Sequence, residues 1–226
     1  MATDPLDTCW SMLRAASRGD AAARSSFSRT YATAIRGYLS ARWRGRLLEG
    51  ESDDATQEVF LECLKPGGAL ERADAEKGEF RALLFGVARN VARRFEERAL
   101  ARGRLLPADS AWLHDVASDE PGQATIFDRS WARALIRQTK RMHRERALAD
   151  GEAGARRLDL LERRFGSDEA IREIAKDWGQ PAQDVHNAYR KARNEFYGCL
   201  REVVAAHAAE GADIESECRR LLAQLR

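Results

Sequence analysis

Several features that mark large classes of protein are scarce in this sequence of 226 residues. No apolar run approaches the roughly 18 residues that a membrane-spanning helix needs. The opening stretch carries Asp4 and Asp7 and lacks the basic and then apolar pattern of a secretory signal. We therefore expect no membrane insertion and a cytoplasmic location. The apolar fraction of 44% is nevertheless large enough for a folded chain with one large or two small domains.

Candidate metal ligands and candidate catalytic groups are also few. The four cysteines form no Cys-x-x-Cys pair and have no histidine at zinc-ligand spacing. The four histidines are far apart in the sequence, and there is no Gly-x-Ser-x-Gly motif, no phosphate-binding glycine loop and no carboxylate pair on an apolar face. The sequence therefore predicts no metal site, no cofactor and no enzymatic activity.

The net charge is small, with 38 basic and 36 acidic residues, and by itself it predicts no polyanionic partner. The charges are, however, arranged in blocks of one sign. Six arginines lie between residues 21 and 48 without an acid, and five acids follow within the next ten positions. Residues 126–205 carry a net charge of +4, and residues 101–125 carry −2. Local basic surfaces are therefore compatible with the near-neutral total.

An all-helical fold is predicted, because apolar residues recur at intervals of three and four and prolines number only five. One helix is expected on either side of Gly19-Asp20. A third helix is expected to begin near Ser52, with the serine hydroxyl capping exposed amides and with Asp53 and Asp54 in the first turn. The clearest helical stripe follows a polar loop and consists of Phe80, Leu83, Leu84, Val87, Val91 and Phe95.

A change of composition divides the chain into two halves. Pro107 and Pro121 bracket a stretch with four acids and no lysine or arginine, which predicts a linker between two helical domains. We expect a first domain over 1–102, the acidic linker over 103–125, a second domain over 126–206 and a tail over 207–226. One further short helix is expected in this tail, beyond Gly211, from the apolar residues Ile214, Cys218, Leu221, Leu222 and Leu225.

The stretch from Ile171 to Phe196 has the form helix, Gly-x-Pro turn, helix, which is the layout of a helix-turn-helix. The polar side of its second helix carries side chains that can pair with base edges or bind phosphate. They are Gln183, His186, Asn187, Arg190, Lys191, Arg193 and Asn194, opposite the apolar Val185, Tyr189, Ala192 and Phe196. An ordinary helical hairpin with a polar exposed face explains this segment equally well.

Two stretches of the first half resemble the core of bacterial RNA polymerase sigma factors. The stretch from Asp53 to Leu61 is similar to region 2.2, and the stretch from Phe80 to Asn90 is similar to regions 2.3 and 2.4. The helix-turn-helix resembles region 4.2. With two domains, a short linker and no region 3 domain, the chain resembles the extracytoplasmic-function (ECF) subgroup of the sigma-70 family over about residues 8–100 and 126–205.

This resemblance implies where partners bind. The helix similar to region 2.2 would dock on core RNA polymerase through Asp53, Asp54, Gln57 and Glu58. The helix similar to regions 2.3 and 2.4 would melt and read the −10 promoter element. Its contacts would be Arg81, Arg89, Asn90, Arg93, Arg94 and Arg98. The helix-turn-helix would read the −35 element through Gln183, His186, Asn187, Arg190, Lys191 and Arg193. The family also implies control by an anti-sigma factor or another regulator.

The sequence departs from the family pattern at a few positions. Arg94 stands where many members have aspartate, and Ala188 where a basic residue is common, so the family does not indicate which promoter is read. A dimeric helix-turn-helix repressor with a helical effector domain is the alternative, because it is also all-helical and basic. Such a repressor needs neither the acidic helix nor the arginine-rich helix. The resemblance therefore favours a bacterial alternative sigma factor that directs core RNA polymerase to promoters for transcription initiation.

Overall fold

The computed structural model describes residues 9–73, 80–103, 120–208 and 211–225. These ranges contain nine α-helices, a 3-10 helix at Leu47–Glu51 and no β-strand, so the all-helical prediction is confirmed. The helices are α1 (Cys9–Ser17), α2 (Ala21–Arg42), α3 (Ser52–Leu64), α4 (Phe80–Ala101), α5 (Glu120–Ala149), α6 (Gly151–Gly166), α7 (Ile171–Asp177), α8 (Ala182–His207) and α9 (Ile214–Ala223).

The chain forms two compact units. The first unit comprises residues 1–134 and 205–226, and the second comprises residues 135–204. The divisions therefore fall inside α5 and inside α8, whereas the predicted second domain runs from 126 to 206. Aromatic contacts explain the difference, because Phe127 lies 5.7 Å from the ring of Tyr38 and both Trp131 and His207 contact Tyr31. Of the predicted linker, residues 104–119 lie outside the described residues, and residues 120–125 are helical.

The first two helices are separated at the predicted place. Asp20 precedes α2, and its carboxylate accepts a hydrogen bond of 2.7 Å from the amide of Ala23, which satisfies one of the amides left open at a helix start. The apolar side of α2 is buried and supplies much of the core of the first unit. The ring centroid of Phe27, in the second turn of α2, lies 5.5 Å from that of Phe60 in α3 and 6.1 Å from that of Phe80 in α4.

Helix α3 begins at Ser52, with Asp53 and Asp54 in its first turn as predicted. The serine hydroxyl does not cap the helix, however. It donates to the carbonyl of Glu49 at 2.7 Å and so closes the preceding 3-10 turn. Helix α4 covers the predicted apolar stripe, of which Phe80, Leu84 and Val91 are buried.

The second unit has its own small core at the helix-turn-helix. Leu160, Ile174, Ala175 and Val185 are buried together, with Tyr189 and others packed against them. The turn between α7 and α8 requires a left-handed residue, and Gly179 supplies it with φ of +60°. The predicted helix-turn-helix is therefore present as a helix, turn and helix around a shared apolar cluster.

The predicted tail helix is present as α9, and it belongs to the first unit. Asp213 caps it by accepting hydrogen bonds from the amides of Glu215 and Ser216. Cys218 and Leu221 on one side of α9 are buried. Among the helices of the described ranges, none combines the length and apolar character needed to cross a membrane.

Candidate nucleic-acid interface

The polar side of α8 is fully available at the surface of the second unit. All six residues predicted for the −35 element are exposed, namely Gln183, His186, Asn187, Arg190, Lys191 and Arg193. The apolar side is turned inward, because Val185 and Ala192 are 1% and 0% exposed. One helix therefore presents a continuous row of hydrogen-bond donors and acceptors above a rigid apolar base.

One ion pair with a buried arginine and one exposed ion pair join α8 to the neighbouring helices of the second unit. Arg157 of α6 is buried, and its Nε donates to the carboxylate of Glu195 in α8 at 2.9 Å. Arg146 of α5 makes a two-pronged pair with Glu202, with N–O distances of 2.6 and 2.7 Å. The hydrogen bond from Arg146 lowers the pKa of Glu202. These contacts connect α8 to α6 through Glu195 and to α5 through Glu202.

The side chains of the row differ in how strongly the protein already holds them. The guanidinium of Arg193 lies 5.7 Å from the ring centroid of Tyr189, a cation–π distance. Gln183 Nε2 donates to Asn187 Oδ1 at 3.4 Å, and Lys191 Nζ lies 3.9 Å from Glu195. Arg190 forms no ion pair within the described ranges of the chain. It is therefore the cation of the row with the least intramolecular competition.

The segment that leads into α7 is fixed by Arg163 at the end of α6. Its guanidinium contacts Glu169 at 2.6 Å and Asp177 at 2.7 Å, so one side chain joins the two ends of α7. The hydrogen bond from Arg163 lowers the pKa of Glu169. Phe165, two residues further on, is 72% exposed beside Tyr189, at 6.5 Å between ring centroids. The helix-turn-helix is thus stabilised by Arg163, Glu169 and Asp177, which are not among the polar residues of α8.

Helix α3 presents a mixed acidic and apolar face in the first unit. Asp54 and Gln57 are exposed, and neither forms an ion pair or a side-chain hydrogen bond within the described residues. Leu61, one further turn along this face, is 64% exposed. Asp53 is exposed as well but is paired with Arg36 of α2 at 2.8 Å. Asp54, Gln57 and Leu61 therefore lie on one exposed face of α3 and are available for contact with another molecule.

Two of the arginines predicted to bind the −10 element are paired with acids of α3. Arg94 Nη1 lies 3.0 Å from Glu62 and its Nη2 lies 3.8 Å from Glu58, and Arg98 also lies 3.8 Å from Glu58. Hydrogen bonds from Lys65 and Arg94 lower the pKa of Glu62. Glu58, predicted to contact the polymerase, is therefore part of a charge cluster that joins α3 to α4.

The remaining four predicted residues of α4 differ in their exposure and in their contacts. Arg81 forms a half-buried ion pair with Asp128 of α5, and the guanidinium of Arg89 lies 5.8 Å from the ring centroid of Phe85. Asn90 is exposed, and Arg93 is exposed with Glu97 at 3.7 Å. Of the six residues, Asn90, Arg93 and Arg98 are thus the exposed ones.

Two residues at these sites are not found by sequence reasoning. Leu61 follows Asp54 and Gln57 by seven and four positions, and this helical spacing is a signal that places it on the same exposed face. Asp128 carries no comparable signal, because its partner Arg81 lies 47 positions away. No cluster of three or more histidine, cysteine or carboxylate side chains suited to a metal ion occurs in the ranges that the structure describes.

Comparisons of the chain with protein-family models, with curated proteins and with solved structures found no match.

Proposed function

We propose that this protein is an alternative sigma factor of the ECF type, which binds core RNA polymerase and directs it to promoters. The observation that carries the proposal is the helix-turn-helix of α7 and α8, in which every residue expected to meet the −35 element is exposed. Arginine, asparagine and glutamine on one exposed helix side are suited to major-groove base edges and phosphates. The protein itself would work in the cytoplasm, without a cofactor and without catalysis.

The face of α3 supports a protein partner for the first unit. Asp54, Gln57 and Leu61 combine charge, hydrogen-bonding capacity and an exposed apolar side chain within two helical turns. An apolar centre with a polar surround is the usual composition of a protein interface. This partner would be core RNA polymerase, and an anti-sigma factor or another regulator would compete for access to it.

Helix α4 would supply the contact with the −10 element. Asn90 and Arg93 are exposed at its centre and can meet a single strand of DNA. Each DNA-binding surface is small, and a short helix row alone gives modest affinity. When both units are held on one polymerase, the second contact becomes intramolecular and the combined affinity rises steeply.

The direct test is reconstitution with core RNA polymerase. The full-length protein should co-elute with the core enzyme on gel filtration, and the complex should start transcription at defined positions when it is offered a library of bacterial promoter fragments. A repressor would instead bind a palindromic duplex as a dimer without polymerase. Absence of a complex with core polymerase, together with dimeric binding to duplex DNA, would establish the repressor and end the sigma factor proposal.

A further inference from the structure

The ring of Tyr189 lies where α8 meets the end of α6 in the second unit. It packs against the buried apolar cluster of the helix-turn-helix, which includes Leu160 of α6 and Val185 of α8. The ring centroid of Phe165, also from α6, lies 6.5 Å from that of Tyr189. The ring of Tyr189 is therefore held by apolar contacts on one side and is half-exposed at the surface.

Two guanidinium groups lie over this ring. The Cζ atoms of Arg164 and Arg193 are 5.8 and 5.7 Å from the ring centroid of Tyr189. At such distances a guanidinium is attracted to the negative face of an aromatic ring. An aliphatic side chain at this position could fill the apolar space but would offer no such attraction. The tyrosine therefore brings together a cation of α6 and a cation of α8.

The two arginines differ in their other contacts. Arg164 donates a hydrogen bond to the carbonyl of Glu169, and its Nη1 lies 3.4 Å from the carboxylate of Asp168. Arg193 is exposed and forms no ion pair with any residue that the structure describes. Arg164 is thus bound to the loop that follows α6, whereas the N–H donors of Arg193 remain available to a further acceptor while the ring holds the group.

Helical spacing places Arg193 at the margin of the polar row on α8. Tyr189 and Arg193 are four residues apart and so lie one above the other on the helix. Because Tyr189 contacts Phe165 of α6, Arg193 stands on the side of the row that borders α6. Asn187 and Arg190 are further round the helix and lie nearer the middle of the row. The major groove is flanked by the two phosphate backbones, so the margin of a helix in the groove meets phosphates.

We propose that Tyr189 is a positioning residue, whose ring holds the guanidinium of Arg193 where it binds a phosphate of the −35 element. This inference rests on the proposed sigma factor function. An arginine side chain loses rotamer freedom when it is fixed on DNA, and a side chain that a ring already holds loses less. Arg193 therefore supplies affinity without sequence preference, and Arg190 in the middle of the row is left to read a base.

The first test removes the aromatic face and keeps the apolar bulk. With Tyr189→Leu, the complex with core polymerase should bind promoter DNA about fivefold more weakly, although the variant binds core polymerase normally. The loss should be equal for all promoter sequences, because a phosphate carries no sequence information. Tyr189→Phe retains the ring and should restore the affinity. Phe196→Leu is the matched control, because this ring of α8 contacts His143 instead, and it should bind promoters as the wild type does.

A double-mutant cycle separates positioning from a loss of stability. Arg193→Gln removes the charge, so it should weaken promoter binding and should also reduce the slope of log affinity against log salt concentration by about 0.9. Added to Arg193→Gln, Tyr189→Leu should have no further effect, because no guanidinium is left to hold. Added to Arg190→Ala, it should have its full effect. A general destabilisation of the second unit would add to both.

A measurement on the free protein answers the question even if Tyr189→Leu folds poorly. Ring currents move protons that lie over an aromatic face upfield in a nuclear magnetic resonance spectrum. In the wild type, the side-chain protons of Arg193 should therefore resonate upfield of those of Arg190, and Tyr189→Phe should preserve this difference. Arg193 signals at the positions found in an unfolded chain would mean that the ring does not hold the side chain, and would overturn the inference.

The outcomes separate the two proposals. A wild-type protein that fails to bind core polymerase overturns the sigma factor function and this inference with it. If the wild type directs transcription, either of two results overturns the inference alone. In the first, Tyr189→Leu binds promoters as tightly as the wild type does. In the second, the loss caused by Tyr189→Leu adds in full to that of Arg193→Gln.

Discussion

Arg42 and Glu96 form a two-pronged ion pair in the interior of the first unit, with Nε–Oε1 and Nη2–Oε2 distances of 2.7 and 2.9 Å. Both side chains are almost fully buried. The same carboxylate accepts a hydrogen bond of 2.8 Å from Trp43 Nε1. The pair therefore joins α2 to α4 and has its remaining hydrogen-bonding capacity satisfied by neighbours.

Removal of one partner of this pair should be costly. Glu96→Leu leaves an arginine buried without its counter-charge, and we expect a loss of about 3–5 kcal/mol in the free energy of unfolding. The double variant Arg42→Met/Glu96→Leu removes both charges and should recover most of that loss. Urea denaturation of the wild type, of Arg42→Met and Glu96→Leu alone and of the double variant, read as a double-mutant cycle, gives the coupling energy. A double variant no more stable than Glu96→Leu would contradict this account.

The face of α3 should be required for polymerase binding and dispensable for the fold. Asp54→Lys combined with Gln57→Ala should weaken binding to core polymerase about tenfold or more, whereas the free energy of unfolding should fall by only about 1–2 kcal/mol, because both side chains are exposed and the main loss is the interaction of Asp54 with the start of α3. Binding is measured by fluorescence anisotropy of the labelled protein. Glu152→Lys on α6, where the side chain is 88% exposed, introduces the same charge change elsewhere and should bind normally.

Leu61 tests the apolar part of the same face. Leu61→Ala removes a side chain that is 64% exposed, so it should lower the affinity for core polymerase without lowering the unfolding midpoint. The exposed Leu148 on α5 of the second unit provides the comparison, and Leu148→Ala should bind core polymerase as the wild type does. Equal affinities for all three proteins would place the docking surface elsewhere.

Arg190 should carry sequence-specific recognition. Arg190→Ala is expected to weaken −35-dependent initiation by about 1–3 kcal/mol if the side chain pairs with a guanine edge. Transcription from a set of single-base promoter variants measures this, because a base contact shows as loss at one position. A uniform loss over all promoters identifies a phosphate contact instead. Arg141→Ala, an exposed arginine of α5, controls for the change in net charge.

His143 should make the second unit sensitive to acid. Burial lowers the pKa of His143, and its Nε2 has no hydrogen-bond partner in the described structure. The folded state therefore keeps this ring neutral where the unfolded chain binds a proton. Stability should be complete above the ordinary histidine pKa of about 6.5 and should fall below it, by at most about 1.4 kcal/mol per pH unit.

Urea denaturation at pH 7.5, 6.5 and 5.5 measures this dependence. His143→Gln should reduce the dependence of the free energy of unfolding on pH, because the buried ring is gone. His186→Gln removes an exposed histidine and should show the same pH dependence as the wild type. If the slopes of His143→Gln and the wild type coincide, the acid sensitivity has another origin.

Cys63 should be inert towards thiol reagents in the folded protein. Burial raises the pKa of Cys63 to about 12, so at pH 8 its thiolate fraction is roughly a thousandfold below that of an ordinary thiol. Alkylation with iodoacetamide followed by peptide mass spectrometry should therefore modify Cys63 only after unfolding. Rapid modification of this residue at native conditions would show that α3 opens.

The sequence predicts where the helices of this protein lie better than it predicts which helices pack against each other. The break at Gly19-Asp20, the start of α3 at Ser52 and the helix beyond Gly211 follow from local sequence signals, and the structure confirms these positions, although the hydroxyl of Ser52 does not cap α3 as predicted. Phe127 and Trp131 are apolar at helical spacing, which predicts that they are buried. Nothing in that spacing shows that they are buried against Tyr38 and Tyr31, because the contacts span about a hundred residues.

The candidate site shows the same limit. The exposed row on α8 is predictable, because a helix with one apolar side must turn the other outward. The arginines of α4 form a basic run in the sequence, yet a helix distributes them around its axis. Arg94 and Arg98 reach the acids of α3 and Arg81 reaches Asp128. Which arginine meets which carboxylate depends on tertiary contacts that a charge count does not contain.

The division of the first unit into two separate stretches of sequence has a consequence for synthesis on the ribosome. Residues 205–226 complete this unit, yet they emerge only after the whole of residues 135–204. The second unit is contiguous in the sequence, whereas the first unit cannot be completed before α9 has been synthesised. Nascent chains arrested before α9 should therefore expose the apolar surface that Cys218 and Leu221 cover, and should be the species that chaperones hold.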